Sequence, residues 1–229
     1  MNYPKISIII PVYNEADIIE SQISHLQDLE YEGKYEILIV DGHENNTTIK
    51  QLSPTNDIQL INSPQGRGLQ MNRGARKAKG EILLFLHADT FLPENGLRDI
   101  TESFNNRNIA AGCFKLGINS SILLLKIIEL FANIRTNLLR IPYGDQAIFI
   151  KAEIFEKLNG YKEIPLMEDV ELMRSLRRDG YQIYSIDKKV QTSPRRWLEQ
   201  GVVYCTLRNW IIITLYNFGI SPEKLYEYY

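Results

Sequence analysis

The stretch KISIIIPVYNEAD (residues 5–17) decides the fold. Lys5 to Val12 is a β-rich apolar run that stops at Pro11, and Glu15 to Leu29 then carries Ile18, Ile19, Ile23 and Leu26 at helical spacing. A strand running directly into a helix is expected. YEILIVDG (35–42) repeats the strand signal, IQLINS (58–63) gives a third, and EILLFLHADT (81–90) gives a fourth after a helical segment from Gly68 to Lys79. The expected order is βαβαβαβ. These strands read as continuous apolar runs, which predicts a mostly parallel sheet covered by helices on both faces, an α/β fold.

Beyond Thr90 the same logic predicts a helix near Gly96 to Asn106, a strand near Ile109 to Leu116, a strand at YGDQAIFI (143–150), and helices at Lys151–Leu158 and Asp169–Asp179. Between them, Ser121 to Arg140 places Lys126, Glu129, Asn133, Thr136, Asn137 and Arg140 at spacings near 3.6. That leaves a wide apolar face, expected to pack on the sheet, with a membrane or partner face as the alternative. The chain shows no internal repeat, low-complexity segment or linker. A single domain over 1–229 is expected, with a nucleotide-binding half (1–116) and an acceptor half with C-terminal helices (117–229).

The composition narrows the function. Lys+Arg 26 against Asp+Glu 28 gives a formal charge of -2, so no overall basic field favours nucleic acid as a partner. Cys113 and Cys205 stand far apart, without CxxC or zinc-ligand spacing, which suits a reducing cytosol. The first apolar run is too short for a signal peptide, and the chain is expected to start directly in its fold. Val202 to Ile220, interrupted by Arg208 and Asn209, falls short of the ~20 apolar residues of a membrane span. It reads as a helix docked on the protein, the favoured reading, or as an interfacial helix with Trp210 and Tyr216 near lipid headgroups. A cytoplasmic location, possible contact with the inner membrane face included, is the resulting expectation.

In open α/β sheets ligands settle beyond the carboxyl ends of the strands. Three such ends are polar here: Pro11-Val12-Tyr13-Asn14-Glu15, Asp41-Gly42, and His87-Ala88-Asp89-Thr90. Singly, each has a structural explanation, Asn14 as a helix cap and Asp41 as a turn opener. Their coincidence on successive strands points to a ligand site.

PVYNEAD, the VDG of the second strand, GRGLQMNRGARKAKGEILLFLHADT and MEDVELMRSLRRDG together resemble family 2 of the glycosyltransferases, inverting enzymes with the GT-A (Rossmann-like) fold. The resemblance covers nearly the whole chain. Its middle block and the tail TSPRRW…LRNWIIITLYNFGISPEKL resemble more narrowly a bacterial subgroup of transferases associated with radical-SAM or selenium-related neighbourhoods. The resemblance implies a UDP- or GDP-sugar donor, an unidentified acceptor and a divalent metal, Mn²⁺ or Mg²⁺. It assigns Pro11, Tyr13, Asn14 and Glu15 to the nucleobase and ribose pocket, and Asp41 to the base. A carboxylate accepting an imide or amide N–H and an aromatic ring offering a stacking face are chemically apt for those tasks.

Asp89 matches the last aspartate of the family's metal-binding DxD element, with Ala88 beside it and His87 where the first aspartate is usual. Histidine suits Mn²⁺ better than Mg²⁺. Arg67 and Arg73, near the start of the GRGLQMNRGARKAKG helix, are available to a diphosphate, whereas Arg76, Lys77 and Lys79 read as a solvated face. Asp169 matches the general base of the family's ED element, and Glu168 is its orienting neighbour; without the resemblance both read as helix-start charges. Arg196 and Trp197 match, incompletely, a QxxRW element, because Gln191 lies two places too far away. Asp145 and Gln146 are candidates for the acceptor pocket, or for a simple turn.

Two other functions compete. A sugar-phosphate nucleotidyltransferase is expected to carry a Gly-, Arg- and Lys-containing loop after the first strand, where this chain has PVYNEAD. A noncatalytic nucleotide-sugar binding protein is expected to lose the base or metal residue, and Asp89 and Asp169 are both present.

Overall fold

The computed structural model describes residues 3–105 and 108–229. The chain runs β1 (Ile6–Val12), α1 (Ala16–Gln27), β2 (Tyr35–Asp41), β3 (Ile58–Asn62), α2 (Arg67–Ala75), β4 (Ile82–Phe85), β5 (Thr90–Phe91), α3 (Gly96–Ser103) and β6 (Ile109–Lys115). It continues through α4 (Leu123–Leu139), β7 (Ile148–Lys151), α5 (Ala152–Lys157), α6 (Glu168–Arg178), β8 (Gln182–Lys189), β9 (Gln191–Thr192), α7 (Arg195–Gln200), α8 (Val202–Asn217) and α9 (Pro222–Tyr226). The main sheet has the order β3-β2-β1-β4-β7-β6-β8. Only β7 opposes its neighbours, pairing antiparallel with β4 and β6, so the sheet is mostly parallel as expected.

Several boundaries differ from the sequence reading. Between β2 and β3 there is no helix, only a 3-10 turn at Ile49–Gln51, because the polar run from His43 to Thr48 offers no apolar stripe to bury. Glu81 to Thr90 is not one strand: β4 stops at Phe85, and the chain turns through 86–89 before β5. Of the helix expected to reach Asn106, α3 ends at Ser103, and Asn106 itself lies outside the described residues. Tyr143 to Gln146 forms a turn rather than the start of β7. β8 is an edge strand in which only Ile183 and Ile186 are buried among exposed or half-buried residues, a weaker signal than the central runs.

Apolar residues fill the space on both sides of β1. Ile6, Ile8 and Ile10 face one core with Ile19 and Leu26 of α1, while Ile9 faces the other with Met71 of α2. Burial of each such side chain is worth about 1.5–3 kcal/mol.

The apolar face of Ser121–Arg140 does not pack on the sheet. On α4 the buried positions are Leu125, Glu129, Asn133 and Thr136, whereas Leu123, Leu130, Phe131 and Leu138 are 54–76% exposed. The reason lies in β6, which leaves the main sheet after Lys115: Ile118 bridges Thr192 of β9 on one side, but on the α4 side no strand meets the N–H and C=O groups of Leu116 and Ile118. Asn133 takes that place for Leu116, accepting from its N–H at 2.7 Å and donating to its carbonyl at 2.9 Å. Glu129 accepts from Ile118 N–H at 3.0 Å, and Lys126 donates to the Ile118 carbonyl at 3.0 Å. A buried backbone group demands a partner, and here the demand outranks the apolar face.

The expected docking of Val202–Ile220 holds only for a narrow stripe. α8 buries Cys205 and Ile212, while Val203, Tyr204, Leu207, Trp210, Ile211 and Phe218 stay exposed. No helix among the described residues is long and apolar enough to cross a membrane.

Candidate active site

The crevice forms where strand order reverses, between β1 and β4, as open α/β sheets require. It is a cavity of about 610 Å³. One wall is the end of β1 and the loop after it, with Pro11, Tyr13, Asn14 and Glu15; another is the turn after β4, with His87, Ala88 and Asp89. Arg67 comes from α2, Asp145 from the turn before β7, Glu168 and Asp169 from α6, and Arg196 and Trp197 from α7. Most of the residues singled out from sequence therefore converge on one cavity.

The small β5–β9 ribbon is what draws in the tail. Thr90 pairs with Thr192, Ser193 N–H donates to the Asp89 carbonyl at 3.0 Å, and α7 starts two residues later. Arg195 then reaches Glu15, its Nη2 lying 2.8 and 3.1 Å from the two carboxylate oxygens. Glu15 thus anchors α7 rather than standing free for a ribose. Burial raises its pKa, opposed by Arg195.

Asp41 departs further from expectation. Its carboxylate is fully buried and outside the cavity lining, accepting from His43 N–H at 2.9 Å, Thr48 N–H at 2.9 Å and Ile49 N–H at 3.2 Å. In this arrangement its oxygens are taken up by the 43–49 loop, which it shapes. That loop in turn holds the β1 loop, Thr47 donating to Asn14 at 2.6 Å and Glu15 N–H donating to Thr48 at 3.1 Å. Asn14 takes a left-handed φ of 56°, which asparagine tolerates. Tyr13, 44% exposed, stands with its ring centroid 5.0 Å from that of His43. His43, Thr47 and Thr48 escaped the sequence reading, although a HENNTT run of short polar groups at a strand end is the signal of a built loop.

Asp169 is held at both oxygens. Gly144 N–H donates to Oδ2 at 2.8 Å and Val170 N–H to Oδ1 at 2.7 Å. Met167, at φ 68°, turns the chain into α6 so that Glu168 and Asp169 meet the cavity. A non-glycine residue in this region costs about 1–2 kcal/mol, which the surrounding packing sustains. Glycine is required at 144: a Cβ there would sit 2.8 Å from His87 Nε2. At 68, a Cβ would sit 2.6 Å from the Lys162 carbonyl, so Gly68 lets α2 approach the chain leading to α6.

The electrostatics are those of a desolvated acid cluster edged with arginines. Burial pushes Asp145 up to about 6, Arg135 opposing and Asp169 adding to the rise. Glu168 is raised by burial while Arg67, 3.6 Å away, pulls it back. Asp89 is also raised by burial, against Arg195 and Arg67. His87 is pushed down to about 3 by burial and then by Arg67 and Arg196, so it is a neutral imidazole; its Nε2 is buried without a partner. Arg196 lies over the Tyr229 ring at 4.2 Å, and Trp197 packs against the Leu116–Ile118–Leu125 cluster.

Besides Asp41, two more candidates fall outside this cavity. Gln146 is fully buried as a brace, accepting from Thr136 at 2.9 Å and donating to the Phe114 carbonyl at 3.1 Å, so it is no acceptor ligand. Arg73 is exposed on α2 and does not line the cavity, because the helix turns it away from Arg67.

Known proteins match this architecture. The Glycosyl transferase family 2 profile matches residues 7–155, more than half of the 229-residue chain. Poly-beta-1,6-N-acetyl-D-glucosamine synthase of Staphylococcus aureus (strain MSSA476) is 30% identical over 105 residues, covering 44% of this chain and 26% of that protein. Glycosyltransferase AglE of Haloferax volcanii is 36% identical over 93 residues, 38% of this chain and 31% of its own length. The chain thus spans about a third or less of these relatives. Among solved structures, mannosyltransferase PcManGT from Pyrobaculum calidifontis, in complex with GDP-Man and Mn²⁺, aligns with a TM-score of 0.68 at 19% identity, over 83% of this chain and 57% of its own. S. aureus TarS 1–349 aligns at 0.65 and 15% identity, over 96% and 68%. The fold they share is GT-A. On the extent of the family match, supported by this shared fold, the chain belongs to glycosyl transferase family 2.

Proposed function

We propose that this chain transfers a sugar, with inversion, from a UDP- or GDP-linked donor to an acceptor hydroxyl, and that Asp169 is the general base. The observation carrying this reading is the placement of Asp169, fixed at both oxygens on the wall of a cavity whose opposite walls hold Tyr13 and Asp89. Tyr13, which His43 backs, offers a ring face to the nucleobase. Arg67 and Arg196 face the diphosphate. The acceptor oxygen gives its proton to Asp169 and bonds to the anomeric carbon, while the carbon–oxygen bond to the diphosphate breaks and its electron pair leaves with the phosphate.

A divalent cation is implied by the family, and PcManGT was solved with Mn²⁺. No cluster of three or more His, Cys, Asp or Glu side chains placed to hold a metal occurs among the described residues. The carboxylate of Asp89 on the cavity wall, completed by the donor's own phosphate oxygens, fits such an ion. Bound there, the cation would neutralise charge on the departing diphosphate. His87, with its unpaired Nε2 beside Gly144, is a secondary ligand candidate.

Calorimetric titration with UDP, GDP and CDP, with and without Mn²⁺, tests the reading. UDP or GDP is expected to bind, more tightly with Mn²⁺, and Asp89→Ala is expected to abolish the Mn²⁺ effect. Binding of none of the three, or binding indifferent to Tyr13→Ala and Asp89→Ala, would refute the donor site.

A further inference from the structure

A second cavity, of about 450 Å³, lies between α4 and α8. Leu116, Ile128, Phe131, Ala132 and Trp210 make it predominantly apolar. It adjoins the donor cavity: Tyr143, Asp145, Trp197, Asn209 and Ile213 line both. At this junction Asp145 Oδ1 and Asn209 Oδ1 are buried without a hydrogen-bond partner, as is Arg135 Nε on the wall of the second cavity. A buried polar atom left in this way is satisfied only when something pairs with it. In the other direction the groove is flanked by the exposed apolar residues of its two helices, Leu138 and Leu139 on α4 and Leu207 and Ile211 on α8.

A polypeptide lying in this groove would bury backbone N–H and C=O groups against walls that offer them few partners. A bilayer surface alone would need no cavity reaching the catalytic carboxylate. A single hydrocarbon chain meets both conditions.

Resting on the transferase reading above, we propose that the acceptor is an amphiphile. Its polar head, carrying the oxygen to be glycosylated, sits at Asp145 and Asn209 within the cavity that holds Asp169, and its hydrocarbon chain runs outward through the α4–α8 groove. The inverted burial of α4 then has a use: Glu129 and Asn133 face the protein, so the helix lines the groove with Ile128, Phe131, Ala132 and Leu139, and with the charged Arg135.

The test is calorimetry on the full chain with two ladders, octyl to dodecyl phosphate and octyl to dodecyl glucoside, each below its micelle concentration. Affinity is expected to rise on the order of tenfold for each two added methylenes in both ladders, since the shared element is the tail. Ala132→Trp, which fills the groove, is expected to weaken the dodecyl probes at least tenfold. Ile128→Gln, a milder change, should weaken them less, with nucleotide affinity unchanged in both variants as proof of folding. A flat ladder, or groove variants that bind as wild type, overturns the proposal. So does equal weakening by Leu138→Glu, which would place the chain on the outer surface. Wild-type protein that binds the alkyl ladder but no nucleoside diphosphate refutes the donor reading instead, so the two failures are distinguishable.

Discussion

Along β1 the residues from Ile6 to Ile10 are wholly buried, and α1 turns Ile19 and Leu26 toward them; along α4 the buried positions are largely Glu129, Asn133 and Thr136, with Leu130 and Leu138 in solvent. Both helices carry an apolar stripe, yet they present opposite sides to the protein. The difference teaches that a stripe marks a face without saying what covers it. α1 covers a complete sheet whose backbone groups are already paired, so only apolar contact remains to be satisfied. α4 covers a strand end that has left the sheet, so polar side chains are drawn inward to replace lost ladder bonds.

If the sheet-side crevice is the catalytic region, its removal should be felt in chemistry rather than stability. Asp169→Asn is expected to lower single-turnover transfer by roughly 10²–10⁴-fold while nucleotide affinity stays near wild type. Full turnover in that variant would break the assignment.

On α4 the prediction is reversed, with stability rather than chemistry at stake. Asn133→Leu leaves both polar groups of Leu116 buried and unpaired, which should cost about 2–4 kcal/mol in urea unfolding. A cost below 1 kcal/mol would mean that the inward polar ridge does not hold this segment.

Asp145 stands where the two regions meet, and its titration sharpens the contrast. Its folded pKa, about 6, exceeds the ordinary 3.8 because burial disfavours the charged form. Between these values the folded protein retains a proton that the unfolded chain has released, so this residue's contribution to stability falls as pH rises through that window. Asp145→Asn should therefore stabilise by about 1–2 kcal/mol at pH 8, some discount being due for partial exposure, and by almost nothing below pH 4. Thermal melts at the two pH values measure it, and an equal gain at both would deny the burial cost.

The smallest effect is expected on the outer face. Leu130→Lys and Leu138→Glu should each change stability by no more than about 0.5 kcal/mol, because neither side chain is buried. A loss of 2 kcal/mol in either would show that this face is covered by the protein itself.

Much of the site was legible because strand ends and helix starts are local events. Tyr13, Asp89 and Asp169 each sit at the edge of a strongly patterned element, so their neighbours in sequence announce them. Arg195 was overlooked because its partner, Glu15, is 180 residues away and nothing in either neighbourhood signals the other. Asp41 was assigned to a ligand because a carboxylate at a strand end looks the same whether its oxygens face a cavity or the N–H groups of its own loop. Gln146 carries the same ambiguity as a polar residue in a turn.

The amino-acid pattern by itself determined that a mostly parallel sheet flanked by helices would form, because continuous apolar strands can be satisfied only by burial on both faces. It also determined which strand ends would be polar. Tertiary structure alone decided which of those polar groups remain free for a ligand, and which side of α4 and α8 faces water. Those outcomes depend on where backbone hydrogen bonds go unpaired once the sheet has closed, and that demand is created by packing between segments far apart in the chain.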